Sequence, residues 1–503
     1  MMVTCEQMKL AEDRLFATGV VAEDLMEKAG KACAQAIRQF FPTAGSATLY
    51  VGKGNNGGDA LVVGRELLKT GWRVDMVLSG ESSQMTSLAA KKLGEFEQQV
   101  ARGFSAVQPS QGGCASIVVD GLLGIGARGP LRGIIAERSA QLAHQRTGSS
   151  AVCFAIDIPS GVDGDLGIPY PGAVVADFTL SIAAIKGGIV KDAAIDHVGR
   201  IVQIALPEIE FGEFAGEAQV LNSSLLAPLL QRRDFAFHKG RAGRVSILAG
   251  SRGLTGAAAL ASMAALHGGA GLVTLYVEPA IYDIVAITAA AEVMVKPLAS
   301  IADIAGDGAD VLALGPGLGD ATFVPDLLPW ILNEARPMVV DADALNLLAR
   351  SDGALSRLAE HGKARLLTPH PGEMLRLFSG ASTCVDRLEV VQQFIEQYDF
   401  QGVLLYKGAR TLVAATGQKT AINSTGHPGM ATGGVGDVLT GLCAALIAQG
   451  YSLYDAACLG SWLIGRSAER AVYDGGESAE SLTAGMIASG LGGAFEDLRR
   501  RVF

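Results

Sequence analysis

Short apolar runs alternate with helically spaced segments along this chain, break off once, and then resume. No other feature constrains the fold as much, because strands separated by helices pair in parallel and need both faces of their sheet covered. In the first half the runs are Ala47–Val51, Val74–Leu78, Ser116–Val119, Ala151–Ile156, Phe178–Ile182 and Arg200–Ile204. Ahead of them Thr4 can cap a helix running toward Thr18, and Leu25, Met26, Ala29, Cys33, Ile37 and Phe40 keep helical spacing. The rhythm stops in Pro207–Ala218, PEIEFGEFAGEA, which is acidic and Gly-bearing and reads as a linker. It restarts at Arg244–Ala249 and continues through Leu272–Val277, Val311–Leu314, Met338–Val340, Arg365–Leu367 and Val403–Tyr406. Long helices close the pattern at Val435–Gln449 and Leu453–Val472. The prediction is α/β with two doubly wound domains, residues 1–213 and 222–503, and the length of 503 residues agrees with more than one domain.

Composition narrows the function. With 49% hydrophobic residues and 64 Gly outside any repeat, the chain is neither disordered nor collagen-like. A net charge of −10 argues against a general nucleic-acid binder but not against a local anion site, since backbone N–H groups can hold phosphate unaided. Cys5, Cys33, Cys114, Cys153, Cys384, Cys443 and Cys458 contain no CxxC pair and read as reduced thiols in a cytoplasmic protein. The opening MMVTCEQMKLAEDRLFATG has no apolar signal core. Gly256–Val277, the most apolar stretch, is broken by His267-Gly268-Gly269 and reads as a buried helix, a turn and a strand rather than a membrane span.

Three polar segments follow strands in the first half. Gly52-Lys53-Gly54-Asn55-Asn56-Gly57-Gly58-Asp59 lies between the first strand and a helix expected over Leu61–Leu68. Asp120-Gly121-Leu122-Leu123-Gly124-Ile125-Gly126-Ala127-Arg128-Gly129-Pro130-Leu131 and Asp157-Ile158-Pro159-Ser160-Gly161-Val162-Asp163 follow later strands. Glycine lets backbone turn and approach a ligand closely, and ligands of open parallel sheets bind beyond the carboxyl ends of the strands. Each segment alone reads as a turn with a capping acid; three in one sheet point to a shared site.

These motifs, GxGNNGGD, DGLLGxG…GPL and DIPSGVDGD, resemble the N-terminal YjeF domain, the NAD(P)H-hydrate epimerase family, from about Met8 to Leu206. The resemblance implies a Rossmann-like domain in which Asn56, Asp120 and Ser160 hold K⁺, for which oxygen ligands are suited. It also implies that Asn55, Asn56, Gly57, Gly58 and Asp59, then Gly124, Ile125, Gly126, Ala127, Arg128, Gly129 and Pro130, together with Asp157, line the hydrated cofactor. Asp157 is the expected acid/base, because epimerisation at a carbon bearing nitrogen and hydroxyl needs reversible proton movement. Lys186 either assists it or is a plain surface lysine. Lys53 and Ala60 depart from residues frequent in the family, proline and glycine.

In the second half Gly426–Leu439, GHPGMATGGVGDVL, runs into a long apolar helix. Its glycines expose N–H groups at the helix start, an anion hole for phosphate. Asp437 in that hole is expected to be a general base beside a transferring phosphoryl group, with a plain helix-start acid as the bland alternative. Gly315-Pro316-Gly317-Leu318-Gly319, Asp341-Ala342-Asp343-Ala344-Leu345-Asn346, Thr368-Pro369-His370-Pro371-Gly372-Glu373 and Lys407-Gly408-Ala409-Arg410-Thr411 all follow strands. DADALN, TPHPGE, KGA and GMATGGVGDVLTG resemble, in order over about Leu225–Leu498, the C-terminal YjeF domain, a ribokinase-like ADP-dependent NAD(P)H-hydrate dehydratase family. That resemblance implies that Lys407, Gly408, Ala409, Arg410, Thr411 and Gly436 contact the nucleotide, while Ala257, Gly317, Gly319, His370 and Asp437 face the hydrated cofactor. His238-Lys239-Gly240 resembles the family's opening HKG and is a candidate phosphate contact. Implied reactants are NADHX, NADPHX and ADP, with Mg²⁺ bridging the nucleotide phosphates and no protein ligand assigned to it. A homo-oligomer is expected, with no nucleic-acid or membrane partner. A vitamin or sugar kinase and a non-catalytic nucleotide sensor are the competing readings of the same motifs.

Overall fold

The computed structural model describes residues 2–102, 115–212, 216, 218–319, 321 and 323–503. Cys114, and residues 213–215 and 217 of the expected linker, lie outside the described residues. The chain divides into two compact units, Met1–Val220 with Phe503, and Leu221–Val502.

The first unit carries β1 (Ser46–Val51), β2 (Arg73–Leu78), β3 (Ser116–Gly121), β4 (Val152–Ile156), β5 (Phe178–Ile182) and β6 (Arg200–Ile204). They form one parallel sheet in the order β2-β1-β3-β4-β5-β6. The inner strands are buried on both faces, as continuous apolar runs require; every residue of β5 is buried. Helices α1 (Cys5–Ala17), α2 (Ala22–Phe40) and α3 (Asn55–Lys69) belong to this unit, and α2 and α3 pack together. The expected helix at Leu61 begins six residues earlier, at Asn55, so the Gly-rich motif forms its first turns rather than a preceding loop. Gly57 makes this possible: a Cβ there would lie 2.0 Å from the Gly52 carbonyl oxygen.

The second unit carries β7 (Arg244–Leu248), β8 (Leu272–Val277), β9 (Met294–Pro297), β10 (Val311–Leu314), β11 (Met338–Val340), β12 (Arg365–Leu367), β13 (Val403–Tyr406), β14 (Leu412–Ala415) and β15 (Thr420–Ile422). Their order is β9-β8-β7-β10-β11-β12-β13-β14-β15, parallel as far as β13 and antiparallel beyond it. Strand β9 escapes an apolar-run reading because it is a largely exposed edge. Helix α4 (Thr255–His267) fills more than half of the apolar stretch Gly256–Val277 and packs on α5 (Val435–Ala448). Helix α6 (Leu453–Tyr473) follows, buried over most of its length. Among the described residues no helix is long and apolar enough to cross a membrane.

Candidate functional site

In each sheet the strand order reverses once, between β1 and β3 and between β7 and β10. Loops leaving two adjacent strands there diverge to opposite faces and open a crevice beyond the carboxyl ends. Asn56 and Asp120 lie beside the first of these positions and Ala257, Gly317 and Gly319 beside the second, whereas Asp157 follows β4 and Lys407 follows β13.

In the first unit, Asp120 sits in β3 opposite Tyr50 of β1 and is fully buried. Its carboxylate accepts from the Ser160 amide and hydroxyl, each at 2.7 Å, and from the Leu122 amide at 3.1 Å. The Leu123 amide donates to Ser160 Oγ at 3.0 Å, and Asn56 Nδ2 to the Leu123 carbonyl at 2.8 Å. Thus Asn56, Asp120 and Ser160, distant in sequence, form one oxygen-rich cluster. Burial lifts the Asp120 carboxyl to about 6 against those three hydrogen bonds, and no described cation pairs with it. A buried carboxylate among oxygens and without a counter-ion is the environment a hard cation would stabilise. Leu123, Gly124, Ala127, Gly129, Ser160 and Gly161 line the adjoining pocket.

Asp157 lies immediately beyond β4 at φ +66°, an uncommon conformation for a residue with a Cβ. Its backbone is held by a bond from its amide to the Leu180 carbonyl, at 2.9 Å. Its carboxylate accepts from the Ile182 amide at 3.1 Å and forms an ion pair with Lys186. Lys186 is no surface lysine: it is completely buried, and Nζ also donates to the Ile182 carbonyl at 2.8 Å. Asp59, on α3, has its carboxyl pushed well up by burial and then by Asp157 and Glu12. Arg128 is exposed and only loosely opposite Asp165, at 3.9 Å. The two departures are absorbed locally. Lys53 Nζ donates to Gln84, and buried Ala60 packs where Gly121 has no Cβ.

In the second unit, Ala257, Gly317 and Gly319 meet at the crevice between β7 and β10. A Cβ on Gly317 would touch Ala257 Cβ at 3.0 Å, and one on Gly319 would touch Ser251 Oγ at 2.8 Å. The Gly319 amide donates to Asp343 Oδ2 at 2.9 Å. Register aligns Leu314, Val340 and Leu367, so Gly315, Asp341 and Thr368 leave the sheet side by side. The Lys407 amide ties its strand end to the Pro369 carbonyl at 2.8 Å.

Helix α5 starts after Gly434, whose φ of +92° lets the chain turn into the helix. Asp437 is in its first turn, where N–H groups lack helical acceptors. Lys407 Nζ reaches Asp341 Oδ1 at 2.7 Å, and Thr440 of α5 donates to Asp341 Oδ2 at 2.7 Å. Gly436 lies beside them; a Cβ would be 3.3 Å from Lys407 Nζ. Glu373 Oε2 is 3.9 Å from Lys407, so one lysine serves several carboxyls. Burial first, then Asp341, lifts Asp437 to about 6, with Lys407 opposing. Glu373 is raised for the same reasons. No described residue hydrogen-bonds the Asp437 carboxylate, which leaves it free to accept a proton.

His370 caps helix Pro371–Leu377, its Nδ1 accepting from the Gly372 and Glu373 amides at 3.0 and 3.4 Å. Gly408 and Ala409 are exposed whereas Arg410 is buried. Asp341, Glu373 and Thr440 had no expected role, although Asp341 opens the DADALN segment directly after a strand. Their part depends on Lys407, which only the sheet brings to them. Among the described residues no group of three or more His, Cys, Asp or Glu is arranged to hold a metal ion.

Comparison with known proteins agrees with this division. A family described as "YjeF-related protein N-terminus" matches residues 22–188, and one described as "NAD(P)H-hydrate dehydratase" matches residues 245–487. The bifunctional NAD(P)H-hydrate repair enzyme Nnr of Moorella thermoacetica is 35% identical over 90% of this chain and 89% of its own. Its counterpart from Coxiella burnetii is 34% identical, covering 94% and 95%, and that of Escherichia coli 35%, covering 96% and 90%. A solved ADP/ATP-dependent NAD(P)H-hydrate dehydratase from Bacillus subtilis aligns at 25% identity with a TM-score of 0.48, covering 55% of this chain and 97% of that one. With relatives of one description aligned over nine-tenths of its length, and both family matches in the same order as its two units, this chain belongs to the bifunctional NAD(P)H-hydrate repair enzymes.

Proposed function

We propose that the first unit interconverts the R and S epimers of NADHX and NADPHX, and that the second dehydrates the S epimer with ADP, releasing AMP and phosphate. The observation that carries this reading is the start of α5: unpaired N–H groups, Gly436, Lys407 and an unbonded carboxyl on Asp437 share one locus.

In the second unit Asp437 accepts the proton of the ring hydroxyl as its oxygen attacks the terminal phosphorus of ADP. The bond from that phosphorus to the bridging oxygen breaks, and AMP leaves. The helix-start amides and Lys407 offset the charge that develops on the phosphoryl oxygens. The ring nitrogen lone pair then expels phosphate, a better leaving group than hydroxide, and loss of the neighbouring carbon's proton yields NADH or NADPH. Lys407, Gly408, Ala409, Arg410, Thr411 and Gly436 form the nucleotide side of the site. Ala257, Gly317, Gly319 and His370 form the side facing the hydrated ring. Mg²⁺ would neutralise nucleotide phosphate charge. The carboxylates of Asp341 and Glu373 already face Lys407 and, for Asp341, Thr440, so the residues present offer Mg²⁺ no cage and no step here depends on one.

In the first unit K⁺ would be held by Asn56, Asp120 and Ser160, supplying the positive charge that buried Asp120 lacks. Asp157, fixed by Lys186 and the Ile182 amide, is the base. Asn55–Asp59 and Gly124–Pro130 flank the substrate.

Incubating mixed epimers with ADP and following reduced-nicotinamide absorbance tests both halves. Complete conversion is expected. A plateau at one epimer would remove the epimerase reading, and a stable phosphorylated product would indicate a kinase instead.

A further inference from the structure

The N-terminal segment is built into the first unit's site. Met2 and Val3 pair in parallel with Ile185 and Lys186, Val3 opposite the buried lysine itself. The Cys5 amide donates to Asp165 Oδ1 at 2.7 Å, in the loop that Asp157 opens. Thr4 and Gln7 then start α1 with a reciprocal capping box, so the helix leaves this anchor in a fixed direction. Cys5, Met8 and Glu12 are spaced i, i+3, i+7 and share one face. Cys5 and Met8 on that face are buried, and Glu12, the next in line, is half-buried.

The face delivers the Glu12 carboxyl into electrostatic reach of Asp157, Lys186 and Asp59. Asp13 bears on it from its own helix. Cys5 on the same face and Cys33 on α2 both feel the charge of Asp157, and burial keeps both thiols neutral. Asp157, Glu12 and Asp59 thus share the field of one lysine, and that lysine is ion-paired with Asp157. Burial, and after it the charge of Asp157, pushes Glu12 up to about 7. Asp157, held by Lys186 and the Ile182 amide, is placed to accept a proton, and Glu12, half-buried on the face that α1 turns toward it, to donate one.

We infer that Glu12 is the proton donor of epimerisation, acting with Asp157 as its acceptor; this rests on the epimerase reading of the first unit. The reacting carbon bears a hydroxyl and the ring nitrogen. Asp157 takes the hydroxyl proton, the C–O bond becomes C=O, and the C–N electron pair passes to nitrogen, which takes the Glu12 proton. Rotation presents the other carbonyl face. Nitrogen re-adds there, its proton returns to Glu12, and Asp157 returns the other to oxygen. Neither carboxyl is consumed, and no further reactant is needed.

The test uses the full-length chain with purified R epimer, the epimers being separated by chromatography. Wild-type epimerisation should fall as pH rises through about 7, where Glu12 loses its proton. Glu12→Gln should lower kcat about a hundredfold with KM nearly unchanged and should erase that limb. Glu12→Asp should recover part of the rate and restore the limb, which a packing role would not do. A Gln variant that keeps both rate and limb, or an Asp variant no better than Gln, overturns the inference. Should the wild-type chain dehydrate the S epimer yet leave the R epimer untouched, the epimerase reading itself falls, a different result from either variant outcome.

Discussion

Asp437→Asn should make the second unit more stable while disabling it. The folded carboxyl is raised from 3.8 to about 6, by burial first and Asp341 second. At roughly 1.36 kcal/mol per unit, that rise means that ionised Asp437 costs the fold about 3 kcal/mol at neutral pH. The side chain is partly open to solvent, so screening makes this an upper bound. Because folding favours the protonated form, the group's contribution is fully present below about pH 4 and is lost as pH rises through about 6. Asparagine has nearly the shape of the neutral acid and cannot ionise. The variant should therefore match wild type near pH 4 and exceed it by up to about 3 kcal/mol at pH 7.5. Dehydration of the S epimer should fall about 10²–10⁴-fold, the usual contribution of a general base. Wild-type turnover should climb through about pH 6 as Asp437 ionises and then level off. Urea unfolding of the second unit at both pH values, with the turnover profile, reads every part of this. Equal stabilities at pH 7.5, or an Asn variant that turns over with the same pH limb, would refute the assignment of Asp437 as a buried base.

Lys407→Met leaves Asp341 buried without its cation and should cost about 3–5 kcal/mol in urea unfolding. It also removes the opposition to Asp437, so the turnover limb should move above pH 6; a stationary limb would mean that the two groups do not communicate. Gly436→Ala meets only Lys407 Nζ and Asp341 Oδ2, at 3.3 and 3.7 Å, so stability should change by no more than about 1 kcal/mol. ADP affinity measured by calorimetry should nonetheless drop at least about tenfold, through loss of close backbone approach. Epimerisation should rise with K⁺ and lose that response in Asp120→Asn, while dehydration of the S epimer in the same chain stays indifferent to K⁺. A K⁺ response that survives the substitution would place the ion elsewhere.

Most of the framework was legible in the sequence. Buried parallel strands must be apolar along their whole length, so runs such as Phe178–Ile182 and Val311–Leu314 announce themselves. Strand-end glycines mark where backbone must turn or approach a ligand, and the glycines from Gly426 to Gly436 mark the turn into helix α5. The edges were less legible. Met294–Pro297 is largely exposed and lacks an apolar run, and helix α3 swallows a motif whose glycines read as a loop.

What the sequence determined alone was the class of fold, the two units and the polar, Gly-rich character of the strand ends, because these follow from local period and residue type. The electrostatics were decided by tertiary structure. Lys186 reads equally as a helper of Asp157 or as a surface lysine until the fold buries it against Asp157, and Glu12 carries no signal in the sequence until the Val3–Lys186 pairing anchors its helix. Asp341 becomes a partner of Lys407 only when β11 and β13 join one sheet. Charge and burial are sums over neighbours distant along the chain, and a local pattern cannot encode them.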